Sequence, residues 1–329
     1  MKIAFTSCTC AGFVSNQPVW DSIRLVEPDH VVLLGDSIYN DVPSPGIDAL
    51  REMTDYQFAQ HIHSRYVEQL ANPRFRAMVA APDITVHAIW DDHDFAWNDA
   101  KGGELMRDPE QAGKVKISTS FMREFRRVLA AKDLSLFPTS VADPAFWVDT
   151  QAKVFKPLGA SSIPLEPGGR SWLHLTDGRS QRRGKTMLGS AQRAVLAAEF
   201  ENHPGALHII ASGGTFKSND CWANYKDDYA WLEQCIGARS WMMLSGDVHN
   251  NNHVNHRLSG GGCLVEATAS GAGSRAWLNP IYPGPELRNH GVLELTSTQV
   301  RLNLFSFDIA ATPDLIFKRH AGGGLEAPA

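Results

Sequence analysis

The chain has 329 residues, 43% of them hydrophobic and 20% charged, enough to bury a substantial core in one large α/β domain or two smaller ones. A formal net charge of −5 removes any electrostatic case for nucleic acid. Neither a basic run suited to an anionic surface nor an apolar stretch long enough to span a bilayer is present. Five cysteines, an odd number in a long chain, do not make a disulfide framework.

The opening MKIAFTSCTC reads as a first β-strand rather than a secretory leader, so a cytoplasmic location is expected. Cys8 and Cys10 alternate along that stretch and should face opposite ways. Cys10, Cys221, Cys235 and Cys263 read as small buried hydrophobes. The stretch from Ile47 to Ala80 has no glycine and only Pro73, which predicts one or two helices. Residues 99–118 and 150–171, rich in Gly, Pro and charge, read as surface loops. SAQRAVLAAEFENH predicts a helix with Ser190 as N-cap, and DDYAWLEQCIG another that ends at Gly237. SGGGC at 259–263 lacks the spacing of a nucleotide-binding loop and reads as a hairpin turn. GVLELTSTQVRLNLFSFD alternates on both sides of TSTQ, as an antiparallel hairpin would. Residues 1–320 then form a single domain, and AGGGLEAPA at 321–329 a flexible tail.

Several apolar runs end in polar or glycine residues: KIAFTSC at Cys8, HVVLLGD at Asp36, ITVHAIWDDHD at its acids, and SWMMLSGDVH at Asp247 and His249. This is the pattern of strands buried on both faces, with reactive residues at the sheet edge where open α/β sheets bind ligands. IWDDHDFAWND places four carboxylates, a histidine and an asparagine in eleven residues, which asks for solvent or a cation among them. A lone GD after a strand is as readily a turn; the recurrence of ligand-type residues at strand ends is harder to attribute to turns. Oxygen- and imidazole-rich sites hold hard or borderline cations, and two cations about 3.5–4 Å apart can hold a hydroxide that attacks phosphorus. Asp91, Asp92 and Asp94 cannot all be ligands from one tight turn, so one or two should orient His93 or support the ligands.

LLGDSIYND, IWDDHDFAWND and LSGDVHNN, with SCT near the start, resemble the PhoD-like alkaline phosphatases, a branch of the calcineurin-like metallophosphoesterases. WLHLTDGRSQRRGKTMLGSAQ and DCWANYKDDYAWL extend the resemblance from about Phe5 to Gly273. It implies a four-layer αββα sandwich with mixed sheets and two or more metal ions at the strand ends. It further implies Asp36 as bridging carboxylate, Cys8 as a ligand, Asp92 in the place of the superfamily's asparagine ligand, and Asp247 and His249 as ligands to the two metals. His93 would stabilise the transition state or protonate the leaving alkoxide. Tyr66 lies where the family offers a tyrosinate to iron, and Asn98 matches a further ligand or phosphate contact.

Asp91, Asp94, Asn250 and Arg275 are left as supporting or substrate-facing residues. Fe(III) with Ca(II) is the metal content the family implies, while manganese, zinc or magnesium fit the same residue types. ASGG at 211–214 departs from the superfamily in having no histidine. Arg179, Arg182 and Arg183 read as a solvated basic face, and Trp97, Trp222, Tyr225 and Trp277 as an aromatic loop for a bulky substrate. His61, His63 and His87 read as structural or surface residues. The expected function is hydrolysis of a small-molecule phosphate ester by a metal-bridging hydroxide, the alternatives being a phosphodiesterase or phospholipase-D-like hydrolase on the same site and a catalytically silent phosphate-binding module.

Overall fold

A computed structural model describes residues 1–12, 14–142, 156–218, 220–273, 288–306, 309–310 and 314–326. In chain order its strands begin with β1 (Lys2–Thr6), β2 (His30–Leu34), β3 (Thr85–Ile89), β4 (Ser161–Pro164), β5 (Ser171–Leu175) and β6 (Leu207–Ala211). They continue with β7 (Ser240–Ser245), β8 (Asn251–Arg257), β9 (Cys263–Ala269), β10 (His290–Leu295), β11 (Gln299–Ser306), β12 (Ile309–Ala310) and β13 (Leu315–Lys318). One mixed sheet has the order β12-β11-β10-β1-β2-β3, with β13 also on β11; the other has the order β4-β5-β6-β7-β9-β8.

The parallel pairs β1–β2 and β2–β3 in one sheet, and β5–β6, β6–β7 and β7–β9 in the other, all run toward the same kind of edge. β6, β7 and β9 are buried at every position, as continuous apolar runs require, because both their faces are covered. Ile3, Phe5, Val32 and Leu34 of one sheet pack against Leu173, Leu207, Ile209 and Met242 of the other. On the outer face of the first sheet Val31 and Leu33 meet Phe58, Ile62, Phe121 and Phe125 from helices. On the outer face of the second, Ile210, Trp241 and Met243 meet Leu196, Phe200 and Leu232. The result is helix, sheet, sheet, helix: the αββα sandwich.

Local signals explain most of the helices. Residues 47–80 hold three rather than one or two: Ile47–Glu52, Asp55–Ala71 and Pro73–Val79. Thr54 and Gln57 close a capping box on the second, while Asn72 caps the third and Pro73 takes its first position, where no N–H is needed. The helix Lys226–Ile236 ends at Gly237 as expected, but the helix Ser190–Asn202 is entered through Gly189, with Ser190 already inside it. Residues 99–118 are not a loop throughout, since Gly102–Leu105 is a short helix and Ala112–Ala131 a long one. The polarity of that segment misleads because Ser118 and Thr119 are buried and return their hydroxyls to the helix's own carbonyls of Lys114 and Val115.

Both hairpins form, β8 with β9 across the glycine turn and β10 with β11 across Thr296–Thr298. The tail expected from residue 321 is held through Glu326. Leu325 is buried between the sheets, the Gly324 N–H donates to the Gly205 carbonyl, and the Glu326 N–H donates to Lys318. Among the described residues no helix is long and apolar enough to cross a membrane.

Candidate metal centre

β1 ends at Thr6, and the next residues turn back across the sheet edge, with the Cys8 N–H donating to Gly35 and Thr9 to Asp36. Cys8 and Cys10 therefore do not alternate on a strand. Both stand in left-handed backbone and share a small buried cluster with Tyr39. Asp36, Asp247 and His249 are left-handed too, with φ of 51°, 72° and 55° beside 62° at Cys8. Such backbone costs a residue other than glycine about 1–3 kcal/mol and collects at ligand clamps. Gly35, at φ 105°, lets the β2 turn pass Asp91, whose backbone nitrogen would lie 2.7 Å from any Cβ there.

Three overlapping groups of donors result, each with its atoms within 4.8 Å of one another: Cys8, Asp36 and His249; Asp36, Asp92 and His93; and Asp91, Asp92 and Asp247. Asp36 joins the first to the second and Asp92 joins the second to the third. Cys8 Sγ lies 3.3 Å from Asp36 Oδ2 and 3.1 Å from Ser270 Oγ, which also accepts the His249 N–H. The Tyr39 hydroxyl donates to Asp36 Oδ2 at 3.3 Å and lies 3.4 Å from His249 Nε2. Tyr39 also stacks on His93, ring centroids 4.2 Å apart, and His93 Nδ1 pairs with Asp41 Oδ1.

Asp94 organises backbone instead. One oxygen accepts the N–H groups of Ser37 and Ile38 and the other that of Asp91, tying the β2 and β3 turns together. Asp92 also accepts the Asp99 and His93 N–H groups, which aims its carboxylate.

The basic cluster is not a solvated face. Arg179 and Arg182 are fully buried; only Arg183 is exposed. Arg179 Nε and Nη2 both lie 2.5 Å from Asp91 Oδ1, and Nη1 donates to Asp220 Oδ2 at 2.9 Å. Arg182 donates to Asp220 and lies over the Tyr225 ring. Burial of these guanidinium groups is offset by carboxylates on both sides.

Crowding shows in the protonation equilibria. Burial pushes Asp36 well up, and burial with the nearby Asp91 and Asp92 charges lifts Asp247 to about 8. Burial likewise lifts Asp94 to about 7 and Asp91 to about 6, the latter opposed by Arg179. Burial raises Asp92 as well, but Arg179 and His93 outweigh it and hold the group at about 2. For His93 burial favours the neutral ring, yet Asp36 and the Asp41 hydrogen bond outweigh it and raise the ring to about 10. Burial, then Asp36, raises the Cys8 thiol; burial, then Cys8 and Asp36, raises the Tyr39 phenol. Protein charges alone therefore leave the acids under-compensated. Asp36 Oδ1 and Asp91 Oδ2 are buried without a hydrogen-bond partner. Orphaned carboxylate oxygens among thiol, imidazole and further carboxylates are the donor set a cation fits.

Other expected residues fall outside these groups. Tyr66 is buried among Phe121, Phe125 and Phe137, its hydroxyl 3.8 Å from Met122 Sδ, because its helix turns that face to the core. The Asn98 side chain is exposed and donates to Asp99, and Asn250 is exposed. Trp97, Trp222 and Tyr225 are buried in the core and line no substrate loop. His61 and His63 bond backbone carbonyls and His87 pairs with His30, as structural residues do. Arg275 and Trp277 lie outside the described residues. Tyr39, Asp41 and Ser270 join the site without a ligand-type pattern of their own in the sequence. Tyr39 and Asp41 sit three and five positions after Asp36 in the same GDSIYND motif, which is the signal that points to them.

A scan of known protein families matches none, and no curated protein matches the chain. Solved structures do. The structure of PhoD matches with a TM-score of 0.65 at 14% identity, covering 100% of this chain and 71% of that one. A dimetal phosphatase from Danio rerio matches with a TM-score of 0.52 at 11% identity, covering 97% and 99%. The chain has a metallophosphoesterase fold. In that fold the edge holding Cys8, Asp36 and His249 is the carboxyl edge of both sheets.

Proposed function

We propose that this chain is a metal-dependent phosphoric ester hydrolase of the PhoD-like kind. The observation that carries the reading is the convergence of Cys8, Asp36, Asp92, His93, Asp247 and His249, from four strand ends, into overlapping donor groups. A neighbouring fold shared with PhoD and a dimetal phosphatase agrees with it. In this reading Cys8, Asp36 and His249 hold one ion, with the Tyr39 phenol in place of the expected Tyr66. Asp92 and Asp247, with Asp36 joined to them through Asp92, would hold a second. Thiolate and phenolate suit a ferric ion and carboxylates suit calcium. When bound, the ions supply a nucleophile at neutral pH and neutralise charge developing on phosphorus.

The chain's own contribution is positioning and proton transfer. Asp36 lies between the two donor groups and fixes their spacing. His93, its Nδ1 held by Asp41, presents its other nitrogen as a proton donor to the departing alkoxide. Asp41 keeps the ring in the charged form that this role needs. Trp90 and Phe95, buried beside the turn, keep its backbone dry and rigid.

The test is hydrolysis of an activated aryl phosphate by protein freed of metal and then reloaded. Activity should vanish on chelation, return with metal, and fall to background in Asp36→Asn and His249→Ala. Undiminished turnover in either variant would defeat the reading.

A further inference from the structure

The third donor group contains an aspartate, Asp91, that is already ion-paired. Its Oδ1 accepts from Arg179 Nε at 2.5 Å and lies 2.5 Å from Nη2, which itself makes no hydrogen bond, while its Oδ2 is buried with no hydrogen-bond partner. The Asp91 side chain occupies the space beside Gly213, where an added Cβ would lie 2.5 Å from Oδ1 and 2.6 Å from Cγ. A glycine there is what admits the carboxylate, since any side chain would push it aside. Arg179 is in turn fixed from behind by Asp220, which also receives Arg182 and the Tyr225 hydroxyl.

Accepting the metal reading above, we propose that Asp91 is a metal ligand through its free oxygen, completing the site with Asp92 and Asp247, and that Arg179 is the positioning residue that holds it there. Arg179 binds one oxygen of Asp91 and thereby orients the other. It also adds a fixed positive charge next to three carboxylates that would otherwise resist sharing one ion. Asp220 and Arg182 serve Arg179, not the ion. In the first site Cys8 is held by Ser270 and Asp36 by the Tyr39 hydroxyl, so the two ions should respond differently to loss of the clamp.

The experiment counts metal per chain and measures its retention against a graded chelator, using Mn²⁺ as the probe ion, for the wild type, Arg179→Met, Arg179→Lys and Gly213→Ala. The Gly213→Ala change leaves Arg179 and every charge in place and only crowds Asp91. The expected result is a wild type with two ions, and one of them held about 10- to 100-fold more weakly in Arg179→Met and in Gly213→Ala. The other ion should keep its affinity, and Arg179→Lys should restore part of the loss. Equal weakening of both ions, or unchanged retention in Gly213→Ala with two ions bound, would overturn the proposal. Should Arg179→Met fail to fold, Gly213→Ala decides alone. Two ions bound with no hydrolysis of any phosphate ester would instead defeat the functional reading and leave this one standing. The clamp failing while hydrolysis persists would do the reverse.

Discussion

His93 Nδ1 lies 2.6 Å from Asp41 Oδ1, and the two residues come from turns that follow different strands. The pair fixes the ring's orientation and, in the metal-free chain, acts with Asp36 to raise the ring to about 10. Asp41→Asn retains an acceptor for Nδ1 but removes the charge. If His93 protonates the leaving group, turnover should fall about 10- to 100-fold on an alkyl phosphate and much less on a nitrophenyl phosphate, whose leaving group needs little protonation. A loss of equal size on both substrates would assign His93 a purely electrostatic task.

The two tyrosines should separate cleanly. Tyr39→Phe removes a hydroxyl that touches Asp36 and His249, so turnover and any visible absorbance of an iron-loaded protein should both drop. Tyr66→Phe removes a hydroxyl whose described hydrogen bond is to Met122 Sδ and should shift stability by no more than about 1 kcal/mol, leaving turnover and colour intact. Colour lost in the Tyr66 variant and kept in the Tyr39 variant would return the phenolate to the position the family resemblance implied.

Metal-free protein should lose stability as pH rises from about 7 to 9, above the range where His87, His174 and His208, held by burial at about 4, 3 and 4, act in the opposite direction. Asp247 holds its proton to about 8 and Asp94 to about 7 in the folded chain, whereas unfolded aspartates ionise near 4. The folded state therefore binds more protons across this window, and stability falls with pH. His93, raised to about 10, adds the same sign above its ordinary value of 6.5; Asp92, lowered to about 2, is ionised in both states and contributes no slope here. Thermal melts in chelator should show the decline, and melts with metal should flatten it because bound cations keep the carboxylates ionised. A melting temperature that is level or rising in chelator would show that the acids are already compensated.

Sequence by itself determined the alternation of buried strands and amphipathic helices, and the strand ends where chemistry gathers. Continuous apolar runs must be covered on both faces, and the residues that follow them, Cys8, Asp36, Asp247 and His249, are thereby carried to the sheet edge. It could not separate Tyr39 from Tyr66, because helical periodicity tells which face is apolar but not what that face meets.

Nor could it show that Arg179 and Arg182 are interior. Local sequence treats an arginine as a solvated charge, and burial becomes tolerable only when Asp91, from the turn after β3, and Asp220, from the loop after β6, arrive on opposite sides. The same holds for Ser118 and Thr119, polar by composition yet satisfied by their own helix, and for Leu325, which closes the gap between the sheets. Whether a polar group is inside or outside depends on partners far along the chain, and only the tertiary structure brings those partners together.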